Sequence, residues 1–311
     1  MNPRGGLLAL LLVDGLLLGC RATQAPGGPV TVLPADSTAE KVVSLPNNKD
    51  GLRFAVLGDF GTGQPQQYQM AAEMERIQRR FPFHLVVLVG DNLYGGDSPQ
   101  SYRSQFELPY KALLDSGVAF YASLGNHDSR NQRYYKQFNM GGKLYYSLKP
   151  PTQSARFFFL DSSYPDSAQI AWVEKELKGS KEDWKIAVFH HPLYSSARAH
   201  GSDLSLRETL EPLFVEYNVS VVLNGHDHTY ERTKPQHGIV YFVAGSGGKL
   251  RPGDLNPRSG ITARGFDSDN AFMVAEIVGD SLFFQAVSRT GKIVDSGIIL
   301  RRLPAEDRAS P

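Results

Sequence analysis

Between Gly51 and Arg302, short apolar runs alternate with longer stretches whose apolar residues recur three and four positions apart. Leu52–Leu57, His84–Val89, Val118–Ser123, Arg156–Leu160, Lys185–Phe189 and Val219–Leu223 have the length and composition of buried strands. Gln66–Arg80, Ser101–Leu114, Ser167–Leu177 and Leu204–Glu216 carry the helical spacing. This alternation predicts an α/β domain. Past Gly238 the helical stretches stop, and Ile239–Ala244, Ala271–Val278, Ser281–Ser288 and Lys292–Leu300 follow one another as strands. Gly279-Asp280 and Thr290-Gly291 join the last three and read as hairpin turns, so antiparallel strands should complete the sheets. A single domain over 51–302 accommodates all of these elements.

The ends read differently. Leu7–Leu18, behind Arg4, is apolar but too short to span about 30 Å of hydrocarbon as a helix, which suits the apolar region of a signal peptide over residues 1–19. A transmembrane anchor or a chance leucine run are the alternatives. Leu17-Leu18-Gly19-Cys20 resembles the lipobox of bacterial lipoproteins, although Asp14 departs from that pattern. The resemblance implies a lipid on Cys20 and, with Arg21 following it, a place on the outer membrane of a bacterial cell envelope, facing the periplasm or the cell surface. Residues 20–50, rich in Pro, Gly, Ser and Thr, read as a flexible tether, and 303–311 as a tail.

With 41% hydrophobic and 21% charged residues the chain is neither disordered nor membrane-embedded in composition. Its 33 Lys and Arg against 32 Asp and Glu leave a formal charge of +1. That balance argues against a nucleic-acid-coating surface, and any anionic ligand has to be caught locally. Cys20 is the sole cysteine, which excludes an internal disulfide and a cysteine-based zinc site.

The candidate chemistry lies where the predicted strands end: Gly58-Asp59, Gly90-Asp91-Asn92-Leu93-Tyr94, Gly125-Asn126-His127-Asp128, His190-His191-Pro192 and Gly225-His226-Asp227-His228. Each alone has an ordinary explanation, such as a turn, a cap or a packed histidine. Ligands of open α/β sheets gather at the carboxyl ends of strands, so clusters distant in sequence can meet there. Carboxylates, imidazoles, an amide oxygen and a phenol together have the composition of a dinuclear metal site.

These motifs resemble the metallophosphoesterase superfamily. Tyr94, three residues after Asp91, marks the likeness to purple acid phosphatases, most closely the small animal tartrate-resistant type, from Leu52 to about Gly248. The resemblance implies a four-layer αββα fold, two mixed β-sheets packed face to face between helices. It implies iron(III) held by Asp59, Asp91, Tyr94 and His228, and a divalent ion (iron, zinc or manganese) held by Asp91, Asn126, His190 and His226. His127 and His200 match histidines that bind substrate phosphate or protonate the leaving group. Two ions at such a centre polarise water for in-line attack on a phosphate monoester, with an acidic optimum because a trivalent ion acidifies water strongly. A phenolate suits a trivalent ion, and a neutral amide oxygen keeps excess negative charge off the divalent one.

The chain departs from the animal enzymes in having only Ser162–Asp166 where they carry a long loop over the site, and in lacking their disulfide. His191 is expected to back the site, because neighbouring strand residues face opposite sides. Asp128 and Asp227 are expected to orient histidines. His84 and His237 are expected to be structural or at the surface, and Lys249, Arg251 and Arg258, in the Gly-rich Gly245–Gly260 stretch, to lie on a solvated loop, with contact to anionic substrates as the alternative. The expected partners are small phosphorylated substrates, with the membrane touched only through the Cys20 lipid and the protein a monomer. A phosphodiesterase or nucleotidase of the same superfamily, or a noncatalytic envelope-binding lipoprotein, are the competing functions.

Overall fold

The computed structural model describes residues 32–33 and 43–303. The signal-peptide and Cys20 expectations, most of the 20–50 segment and the tail beyond Leu303 lie outside the described residues. The strands are β1 (Val32–Leu33), β2 (Leu52–Leu57), β3 (Leu85–Val89), β4 (Ala119–Ser123), β5 (Tyr146–Leu148), β6 (Ala155–Phe159) and β7 (Trp184–Val188). They continue as β8 (Val221–Asn224), β9 (Tyr230–Thr233), β10 (Val240–Ala244), β11 (Thr262–Phe266), β12 (Ala271–Val278), β13 (Ser281–Ser288) and β14 (Ile293–Leu300).

Two seven-stranded sheets result, ordered β1-β14-β13-β12-β2-β3-β4 and β11-β9-β10-β8-β7-β6-β5. In the first, β2, β3 and β4 are parallel and β12, β13 and β14 close it in antiparallel fashion. In the second, β6, β7, β8 and β10 are parallel, with antiparallel β5, β9 and β11 towards the edges. The inner faces meet through rings such as Phe54 on Phe157, centroids 5.3 Å apart, and Phe242 on Phe284 at 5.1 Å. Each edge-to-face pair adds roughly 0.5–1.5 kcal/mol beyond the area it buries.

Helix α1 (Pro65–Gln78) lays Met70, Ala71 and Met74 on the outer face of the first sheet, with Pro65 fixing its first turn. On the outer face of the second lie α4 (Ser167–Gly179) and α5 (Leu204–Glu216), whose Val173, Leu177, Leu206, Leu210 and Phe214 pack with Phe158, Ala187 and Val222. Asp166 and Asp203 cap these two helices by accepting the backbone N–H three residues on. The αββα arrangement is therefore the one expected.

The predicted helix Ser101–Leu114 is instead broken. A short α2 (Pro99–Tyr102) runs into a π-type turn over Arg103–Glu107, and α3 (Lys111–Asp115) follows after Pro109. Proline has no N–H for the helical ladder and its ring clashes with the preceding turn, so the apolar periodicity survives while the hydrogen bonding does not. Residues 43–50, which composition places in the tether, are tied to the domain. The Glu276 carboxylate accepts the backbone N–H groups of Asn47 and Asn48, each at 2.6 Å, and Gln285 donates to the Val43 carbonyl.

Candidate metal centre

The parallel strands β2, β3, β4, β7 and β8 all deliver their carboxyl ends to one rim, where the polar motifs follow directly. Asp59, Asp91 and His226 sit at φ of 53°, 50° and 70°, a left-handed conformation that costs of order 1–3 kcal/mol for a side-chain-bearing residue. The surrounding hydrogen bonds hold it: Asp59 N donates to Gly90 O, His226 N to Asp59 Oδ2 and His127 N to Asp91 Oδ1. The loops approach so closely that a Cβ on Gly125 would lie 2.2 Å from Asp91 Oδ1, and one on Gly225 2.4 Å from Asp59 Oδ2.

At one end, the Tyr94 hydroxyl lies 3.2 Å from Asp59 Oδ1 and 3.3 Å from His228 Nε2, and the last two atoms are 3.6 Å apart. Burial and the neighbouring Asp91 hold the Asp59 carboxyl well above its usual range, against the opposing His226 N–H and Tyr94 hydroxyl. Burial, reinforced by Asp59 and Asp91, likewise keeps the Tyr94 phenol protonated. Burial and then the Arg251 charge push His228 down to about 4.

At the other end, His190 Nδ1 is 3.0 Å from the Val89 carbonyl, which can only accept, so Nδ1 carries the proton and Nε2 presents a lone pair. That lone pair faces Asn126 Oδ1 at 3.1 Å and Asp91 Oδ1 at 3.4 Å, with His226 Nδ1 at 3.3 Å. Nitrogen and oxygen acceptors aimed at one another with no proton between them repel unless a cation joins them, so this donor set fits a metal ion. Burial and neighbouring imidazoles keep His190 neutral and hold His226 down at about 2, the protonation state a ligand needs. Candidate ligand atoms of Asp59, Asp91 and His228 lie within 4.8 Å of one another, as do those of His190, His191 and His226. Asp91 reaches both groups.

The structure thus gathers Asp59, Asp91, Tyr94, Asn126, His190, His226 and His228 on one floor at the strand ends, with His127 and His200 exposed beside them. The His127 ring stands 5.0 Å from that of Tyr94, and the His200 ring 4.3 Å from that of His226. His191 backs the centre for another reason than strand alternation, since β7 ends at Val188: its ring lies 4.4 Å from that of His226. Its Nδ1 pairs with Ser162 Oγ at 2.9 Å. Asp128 orients loops and not histidines, accepting the backbone N–H groups of Asn92, Leu93 and Gly125. Asp227 holds the loop carrying His200, through the Gly201 N–H. His84 is exposed and His237 lies at the surface, 3.9 Å from Glu211.

Lys249 and Arg251 are not on a merely solvated loop. Lys249 Nζ sits 4.5 Å from the centre of the Tyr94 ring, and Arg251 N donates to the His228 carbonyl. The signal was available in sequence, because Gly245-Ser246-Gly247-Gly248-Lys249 follows β10, another parallel strand ending at the same rim.

The family model for calcineurin-like phosphoesterases matches residues 52–230. Tartrate-resistant acid phosphatase type 5 of Oryctolagus cuniculus is 24% identical over 305 residues, covering 83% of this chain and 92% of its own. Purple acid phosphatase 17 of Arabidopsis thaliana is 27% identical over 248 residues, covering 68% and 73%. Among solved structures, GAP50, the anchor in the inner membrane complex of Plasmodium, matches with a TM-score of 0.70 at 22% identity, over 82% of this chain and 90% of that one. Purple acid phosphatase PPD1 from yellow lupin seeds matches at 0.67 and 21%, over 82% and 55%. At these identities the structural likeness concerns the fold.

Proposed function

The chain belongs to the calcineurin-like phosphoesterase family, and from that premise we propose that it is an acid phosphatase hydrolysing phosphate monoesters at a two-metal centre. The observation that carries this reading is the Asp91 carboxylate, which clusters with Asp59 and His228 and also lies 3.4 Å from the unprotonated His190 Nε2. Asp59, Tyr94 and His228 with Asp91 would hold iron(III), and Asn126, His190 and His226 with Asp91 a divalent iron, zinc or manganese. Tyr94 supports the trivalent choice, because a phenolate is a hard anionic ligand.

When bound, two such ions clamp phosphoryl oxygens and acidify water for attack in line with the leaving group. The chain's own residues do the rest. His127 and His200, exposed beside the floor, bind the phosphate and give the leaving oxygen its proton, a contribution typically worth about 10²–10⁴-fold. Gly125 and Gly225 let the loops close without displacing the carboxylates. Upstream, Cys20 would carry a lipid that holds the domain on a bacterial outer membrane, as a monomer acting on small phosphorylated substrates. No helix among the described residues is long and apolar enough to cross a membrane. Fractionating cells that express Cys20→Ala checks the anchor: the variant should leave the membrane fraction, and an unchanged distribution would refute it.

Metal analysis, a visible spectrum and turnover of p-nitrophenyl phosphate on one preparation test the function. Two metals per chain, a pink to purple colour and turnover at acidic pH are expected. A colourless protein with two zinc ions would remove iron from the reading. A fully metallated protein inert towards monoesters would leave the noncatalytic alternative.

A further inference from the structure

The His200 ring lies 4.3 Å from that of His226, and among the described residues its side chain makes no hydrogen bond that would fix it there. Its place is set by the backbone of the loop between β7 and α5. That loop is neither helix nor strand, yet its amides are satisfied: Ser195 N donates to Ser202 Oγ at 3.0 Å, Ser196 N to Glu231 Oε2 at 2.8 Å and Ala197 N to Ser195 Oγ at 3.2 Å. The two amides immediately before His200 both go to one residue, Asp254. Arg198 N donates to its carbonyl at 2.9 Å and Ala199 N to its Oδ1 at 3.0 Å. Past His200, Gly201 has φ of 76° and a Cβ there would lie 3.0 Å from the Ala197 carbonyl, so the loop turns tightly back on itself.

Asp254 is itself fixed. It lies on the long connection between β10 and β11, where Leu255 pairs with Ala197 as an isolated antiparallel bridge, Asn256 N donates to the Ser196 carbonyl and the Arg198 guanidinium to the Gly253 carbonyl at 2.7 Å. Leu255 N donates to Asp267 Oδ2 at 3.1 Å. The same connection starts at the rim, where Gly248 N and Lys249 N donate to the Asp59 carbonyl and Arg251 N to the His228 carbonyl. One stretch of chain therefore rests on the backbone of two candidate metal ligands and, a few residues later, grips the loop of His200.

The Asp254 side chain is buried, its Oδ2 has no hydrogen-bond partner, and its Oδ1 serves the Ala199 amide. Burying a carboxylate is costly, and one amide N–H offsets only part of that cost, so stability of the fold alone does not call for an aspartate here. What the carboxylate does secure is the backbone next to His200. We propose that Asp254 is a positioning residue, which sets the His200 ring relative to the metal floor by holding the Arg198 and Ala199 amides. A displacement of about 1 Å in such a group can cost on the order of 10²-fold in rate. The inference rests on the phosphatase reading for its kinetics, though not for the placement of the loop.

The test uses the full-length, metal-loaded protein, with Asp254→Ala, Asp254→Asn, His200→Ala and the combined His200→Ala, Asp254→Ala variant, and with metal quantified in each. For glycerol phosphate, kcat/KM should fall about tenfold or more in Asp254→Ala. It should stay within about threefold of wild type in Asp254→Asn, whose amide oxygen can still accept from Ala199. On top of His200→Ala, the Asp254→Ala change should cost less than about a further twofold, because Asp254 acts through the histidine, whereas general damage to the fold would add. Amide hydrogen exchange over residues 195–202, read by mass spectrometry, should quicken by about tenfold or more in Asp254→Ala and not in Asp254→Asn. Asp254→Leu, which keeps the bulk and lacks the acceptor, gives the same readings should the alanine variant fail to fold. Additive losses, loss of metal, or wild-type turnover and exchange in Asp254→Ala would overturn the positioning role. If the wild type turns over no monoester the phosphatase reading fails, while the exchange measurement still decides whether Asp254 holds the loop.

Discussion

Asp91 Oδ1 lies 3.4 Å from His190 Nε2, although β3 and β7, which deliver the two residues, belong to different sheets. The same carboxylate groups with Asp59 and His228, so it joins the two ends of the floor. Asp91→Ala should therefore lose metal from both positions, taking the content from two ions per chain to well below one. His228→Ala touches one end and should retain about one ion. Plasma emission analysis after gel filtration measures both, and equal metal contents in the two variants would count against a bridge.

Tyr94 carries a second expectation. Burial and two carboxylates keep its phenol protonated before any metal arrives, and they hold the Asp59 carboxyl up as well. Loading the centre must then expel protons. Titrating iron or zinc into the stripped protein in buffers of different ionisation enthalpy counts them. Tyr94→Phe should release about one fewer and, in the iron form, lose the visible colour. A variant that keeps both proton count and colour would show that the phenol is not a ligand.

How much of this was legible in sequence depended on where the free energy lies. Leu85–Val89 is buried throughout, and such apolar runs announce themselves. β9 did not: its Glu231 is buried because it accepts from Ser196 N and Thr262 Oγ1, and Arg232 lies between strands by pairing with Asp295 at 2.7 Å. Those partners are 31 to 63 residues away, beyond any local pattern. β11 and β5 are short and half-exposed near sheet edges, with little apolar signal. The candidate ligands were legible because glycine-flanked polar clusters followed strong strands. For Lys249 the glycine-rich stretch after β10 was legible, but its place over the Tyr94 ring was not, since Tyr94 lies 155 residues earlier in the chain.

Away from the centre, Glu182 gives a pH test of the fold. Burial alone would raise its pKa, but Lys149 at 2.5 Å and the Ser180 hydroxyl at 2.6 Å outweigh it and bring it down to about 2. A depressed carboxyl binds fewer protons folded than unfolded, so its stabilisation is present above pH 4.5 and is lost as the pH falls towards 2. Because Lys149 is largely exposed, the effect should stay below about 1 kcal/mol. Glu182→Gln should be less stable than wild type at pH 6 and approach it near pH 2.5 in urea titrations. A constant difference across that range would remove the ion pair as the cause.

His200 raises the sharpest mechanistic question. It is exposed, its ring lies 4.3 Å from that of His226, and its loop is fixed by the Gly201 N–H on Asp227 and by Ser195 N on Ser202 Oγ. If it gives a proton to the leaving oxygen, His200→Ala should lower kcat strongly for alkyl phosphates, whose alkoxides are basic, by about 10²-fold or more. An activated aryl phosphate should suffer much less, because its phenolate departs unaided. If His200 only grips the phosphate, both substrates lose alike, chiefly in KM when ground and transition states are held equally. Metal content should not change in either case, which separates both outcomes from damage to the neighbouring His226. Measuring glycerol phosphate and p-nitrophenyl phosphate side by side on one metal-quantified preparation decides between them. Full activity on both would return His200 to the surface.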